Sequence, residues 1–80
     1  MDKFFSSNRL RTARIALGLS MEDLSMRTNR IVSRQSIHGY ETDRMRPKAK
    51  VLNKLAQALG VSRDYLEGKG LTIDIPALRI

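Results

Sequence analysis

Two short stretches, Gly18-Leu19-Ser20 and Gly60-Val61-Ser62, set a helix stop directly before a helix start. Glycine tolerates the left-handed backbone that ends a helix, and a serine two residues on can accept hydrogen bonds from the next helix's free N–H groups. Ser33 supplies another start, and Ser6 or Ser7 the first one. A chain cut this often builds only short helices, and short helices persist only when packed on one another. The expectation is one all-α domain.

The apolar spacing divides that domain into five helices. Leu10, Ala13 and Leu17 mark the first, ended by Gly18. Ser20 opens the second, with Glu22 and Asp23 in its first turn, where the helix dipole favours negative charge. Met21 and Leu24 face inward, and the helix fades near Thr28–Asn29. A third runs from Arg34 to about Thr42, with Ile37, Tyr40 and Glu41 on its inner face. Arg34, Gln35, Ser36, His38 and Gly39 are left for the outer face or the leading end. Pro47 suits the first residue of a fourth helix, where its missing N–H has no partner to lose. Val51, Leu52, Leu55, Ala56 and Leu59 form that helix's stripe. Ser62 opens a short fifth helix through Tyr65 and Leu66, closed by Gly68.

Residues 69–80 differ in kind. Leu71, Ile73 and Ile75 alternate with Thr72 and Asp74, and Pro76 closes the run, which is the period-two pattern of a strand. A lone strand has no stability of its own. The tail is therefore read as a dimerisation strand, a linker to a further domain, or extended chain on the helices, beside a helical domain at residues 1–68.

Charge narrows the partner. The net charge is +7. Between Arg27 and Lys54 lie eight basic residues (Arg27, Arg30, Arg34, Arg44, Arg46, Lys48, Lys50, Lys54) against two acidic ones, Glu41 and Asp43. Such a basic middle is a footprint for a polyanion. The sequence has no cysteine, hence no disulfide and no thiolate metal site, which suits a reducing cytoplasm. Residues 1–20 lack the apolar run of a signal peptide, and no stretch has the length of a membrane span. His38 stands alone as a metal ligand, there is no glycine-rich phosphate loop, and the acidic residues fall mostly at helix starts. An enzyme is not expected, nor a cofactor or metal. Met21, Met26 and Met45 read as core or edge fillers.

Two short helices around a turn, the second polar and basic at its start, form a helix-turn-helix pattern. The major groove admits one helix and displays a distinct donor and acceptor pattern for each base pair. Arg34 can donate two bonds to guanine, Gln35 can donate and accept on adenine, and Ser36 is a short adaptable partner. The start of the second helix, at Ser20, suits a backbone phosphate.

Three separate stretches carry a closer likeness: Arg9 to Ser20, Val32 to Glu41 and Leu55 to Leu66. In order and length they resemble the phage-repressor (Cro/CI, XRE) helix-turn-helix family over about residues 7–68. The resemblance implies a compact five-helix, lambda-repressor-like DNA-binding domain, and a homodimer on a near-palindromic operator. It assigns base reading to Arg34, Gln35, Ser36 and Gly39, and phosphate contact to Arg44, Arg46 and Lys48. It also implies an ion pair between Arg14 and Glu41. Three departures stand out. The interval from Leu24 to Ile37 is longer than usual and brings Arg30 toward a phosphate or tilts the third helix. Met21 replaces a glutamine that commonly braces the first base contact. Gly39 stands where a longer side chain is usual. The implied function is a transcriptional regulator of the repressor type. The competing reading is a protein-interaction module, either an antitoxin with a toxin partner or the front targeting domain of a longer chain.

Overall fold

The structure, a computed structural model, describes residues 5–68. Five helices follow in order: α1 (Ser7–Ala16), α2 (Met21–Arg27), α3 (Arg34–Glu41), α4 (Ala49–Leu59) and α5 (Arg63–Leu66). The tail expected as strand or linker, residues 69–80, lies outside the described residues.

Serines start four of the five helices. Ser6, Ser20, Ser33 and Ser62 each accept a hydrogen bond from the backbone N–H three residues on. A cap of this kind is worth about 1 kcal/mol, a large share of the stability of so short a helix. At α2 the cap is reciprocal, with the Ser20 N–H donating to Asp23 Oδ2 at 3.0 Å. That backbone hydrogen bond, with the one from the Ser20 side chain, holds the Asp23 carboxyl below its ordinary range. Gly18 and Gly60 take the left-handed backbone that ends α1 and α4, at φ of 70° and 68°.

The fourth helix departs from expectation. It begins at Ala49, with Lys48 as its cap residue, not at Pro47. Proline is tolerated at either place, and what decides is tertiary. The Pro47 ring is fully buried, as is Leu52 one turn into the helix. The two hold the flanking positions of a hydrophobic staple, which fixes the angle at which the chain enters the helix.

Packing gives the third helix its orientation. The core gathers Leu10 and Ala13 from α1, Leu24 from α2, Ile37 and Tyr40 from α3, Leu52, Leu55 and Leu59 from α4, and Leu66 from α5. α1 packs on α3 and α5, α2 on α3 and α4, and α4 on α5. The Phe5 ring meets Tyr40 edge-on at 6.4 Å. The two ends of the domain are tied together, since Ser6 N–H donates to the Leu66 carbonyl at 2.8 Å. The Arg9 guanidinium lies 5.0 Å over the Tyr65 ring and donates to that residue's carbonyl. With Ile37 and Tyr40 sunk among α1 and α2, the opposite side of α3 must face out.

Candidate nucleic-acid interface

That outward side is open. Arg34, Gln35 and His38 are exposed, and they line one groove with Gly39, Arg44 and Met45, walled by the half-buried Met21. Ser36 is half-buried. Its hydroxyl oxygen accepts from the Ser33 hydroxyl at 3.0 Å and keeps its own proton to donate. Periodicity alone places His38 on this face. It stands one turn beyond Arg34, the spacing at which helix side chains are neighbours, so the signal was present.

Gly39 belongs to the floor of that groove and is not itself exposed. It is buried, because the chain after α3 folds back over it. The amides of Arg44 and Met45 both donate to the Gly39 carbonyl, at 2.9 and 3.1 Å. A Cβ at position 39 would sit 2.7 Å from Met45 Sδ, closer than such atoms approach. The glycine therefore admits the Met45 side chain. Glycine inside a helix costs about 0.5–1 kcal/mol relative to alanine, so the two effects oppose each other. In a Met45→Ala background, Gly39→Ala should gain most of that amount in a urea melt. In the wild-type background it should gain less or lose. Equal gains in both would mean that Met45 does not press on this site.

α3 is held at its far end by an ion pair. Arg14 Nε meets Glu41 Oε2 at 2.7 Å and Arg14 Nη2 meets Oε1 at 2.9 Å, a two-pronged bond. Arg14 Nη1 also donates to the Leu19 carbonyl at 2.8 Å. The side chains are 11% and 2% exposed, so the charges are largely out of water. The hydrogen bond to Glu41 raises the Arg14 pKa above its ordinary value, against the effect of burial. One guanidinium thus joins α1, the turn after it, and the last residue of α3.

The residues expected at phosphates fall into two groups. Ser20 and Arg30 are engaged with α2. The Ser20 N–H is taken by Asp23, and Arg30 folds back to Glu22 at 2.9 Å. Both members of that second pair are well exposed, and surface pairs of this kind contribute only about 0–1 kcal/mol. Arg44, Arg46 and Lys48 are exposed along the segment joining α3 to α4. Asp43, left-handed at φ 64°, anchors that segment by accepting from the Ser7 hydroxyl at 3.1 Å. The segment ends at the start of α4, which has no side-chain cap and no acidic residue in its first turn. Unsatisfied N–H groups flanked by Lys48 and Lys50 suit an anion. The sequence by itself marks Lys50 only as part of the basic segment.

Among the described residues, no helix is long and apolar enough to cross a membrane. A family model described as Helix-turn-helix matches residues 10–66. No curated protein and no solved structure matches the chain. The matched stretch runs from inside α1 to the end of α5 and covers well over half of the sequence. The chain belongs to the Cro/CI-type (XRE) helix-turn-helix family, whose members are DNA-binding transcription regulators.

Proposed function

We propose that this protein is a cytoplasmic repressor of transcription that binds a near-palindromic operator as a homodimer. One observation carries the reading: the side of α3 that follows Ser33 is free, while its other side is fixed in the core. Arg34 and Gln35, in the first turn of α3, read base edges from the major groove. Ser36 and His38 reach neighbouring positions. Gly39 contributes no side chain and serves by letting the Met45 segment lie close. Arg44, Arg46 and Lys48 contact the phosphates, which fix register without carrying sequence information. A dimer with its two reading helices about one DNA turn apart, roughly 34–36 Å, matches a palindrome. Seated in a promoter, such a dimer excludes other proteins from the same base pairs, and this favours repression.

Selection from a pool of random duplexes with the purified protein tests the reading. The expected product is a motif with two related half-sites spaced by about one helical turn. A folded sample that enriches nothing, and binds all duplexes weakly at low salt, would point to a protein-interaction module instead. The phosphate assignment has its own signature. Arg44→Ala should weaken binding to every duplex alike and lower the slope of log affinity against log salt by about 1. A changed base preference would contradict it.

A further inference from the structure

The turn between α2 and α3 is unusual in what it buries. Ser25 and Thr28 are the buried polar side chains among the described residues, each 2% exposed. They converge on the two backbone polar groups of one residue, Val32. The Val32 N–H donates to Thr28 Oγ1 at 3.1 Å. The Val32 carbonyl accepts from the Ser25 hydroxyl at 2.7 Å. Thr28 places its single proton on the Ser25 carbonyl at 2.7 Å, the 3.5 Å approach to the Val32 oxygen being poorer. Val32 directly precedes Ser33, the cap of α3.

The turn between these anchors would otherwise be loosely specified. Asn29 and Arg30 lie in the left-handed region at φ of 57° and 61°, although neither is glycine. Such residues hold that conformation only where the surroundings over-determine it. Arg30 N–H donates to the Ser25 carbonyl and Ile31 N–H to the Thr28 carbonyl, at 2.9 and 3.1 Å. The same two residues therefore hold the turn's entry through their backbones and its exit through their side chains. Buried hydroxyls satisfied in this way specify one geometry, because any other leaves a polar group unpaired.

We propose that the Ser25 and Thr28 hydroxyls are positioning residues for base recognition, setting how α3 sits on α2 and so which base edges Arg34 and Gln35 reach. The proposal rests on the DNA-reading function above. Neither hydroxyl touches DNA. Their contribution lies in selectivity, not in general affinity.

The test uses the full chain with Thr28→Val, which exchanges the hydroxyl for a methyl of similar size, and Thr28→Ser, which keeps it. Affinities for the selected operator and for a scrambled duplex are measured at a temperature where circular dichroism shows each protein folded. Thr28→Val is expected to lower Tm by roughly 5–15 °C. It should also lower the ratio of specific to scrambled affinity by about tenfold, the equivalent of a mismatched base pair. Affinity for the scrambled duplex and its salt slope should hold, and Thr28→Ser should restore the ratio. A folded Thr28→Val protein with an unchanged ratio overturns the proposal and reduces the hydroxyl to a source of stability. Where Thr28→Val does not fold, Ser25→Ala replaces it, since it removes only the bond to the Val32 carbonyl and leaves both Thr28 bonds, to the Val32 N–H and the Ser25 carbonyl, in place. The same direction is expected, and an unchanged ratio is again fatal. Wild-type protein that enriches no motif overturns the DNA reading and this proposal with it. Wild type and folded variants that enrich one motif equally overturn this proposal alone.

Discussion

Glu41→Ala should destabilise the fold by about 3–5 kcal/mol in urea denaturation, the usual result of stranding one member of a buried ion pair. A helical domain of residues 1–68 has roughly 3–10 kcal/mol in total, so Glu41→Ala is expected to leave much of the population unfolded near 37 °C. The physical cause is the Arg14 guanidinium. Without Glu41 it keeps one bond, to the Leu19 carbonyl, and cannot shed its charge at any working pH. Glu41→Gln should lose less, because the amide oxygen still accepts one of the two bonds. A double replacement by apolar residues, Arg14→Met with Glu41→Leu, should recover more than half of the loss, since no charge is left stranded. A Glu41→Ala protein within about 1 kcal/mol of wild type would mean that water reaches the pair, which then behaves as a surface contact.

This pair also shows what a sequence can and cannot reveal. Nothing in the periodicity of α1 or α3 says that Arg14 and Glu41 meet; the family likeness suggested it, and the packing of α1 on α3 supplies the reason. The serine caps were legible because each needs only one side chain at a fixed local spacing. The α4 stripe was legible for the same reason, being a repeat within one helix. Pro47 was misplaced because its position depends on a buried ring, and burial is a property of the whole fold. Gly39 was set on the open face because helical spacing cannot foresee that the Arg44–Met45 segment doubles back across it. Arg30 was expected at a phosphate because the longer turn carries it outward, and spacing alone does not reveal that it pairs with Glu22. Ser25 and Thr28 gave no signal at all, since polar residues in a short helix read as surface until the core closes over them.

Gln35→Ala should cost about 1–3 kcal/mol in binding to the preferred operator, roughly 5- to 150-fold, and should relax preference at one base position per half-site. The argument runs through what the residue does not do in the free protein. Gln35 is exposed, and alanine is at least as good a helix former, so stability should stay within about 0.5 kcal/mol. Any loss of selectivity then belongs to the contact with DNA. Arg34→Lys separates geometry from charge at the neighbouring position. Lysine keeps the cation but not the planar two-pronged fork, so binding to all duplexes should persist while discrimination at the guanine falls. Arg44→Ala provides the opposite pattern, a uniform loss with preference intact. The three variants differ by chemistry within one groove, so the outcome assigns roles and not merely importance. A folded Gln35→Ala protein that still prefers the same bases by the same margin would remove Gln35 from the reading face and leave Arg34 and His38 to account for selectivity.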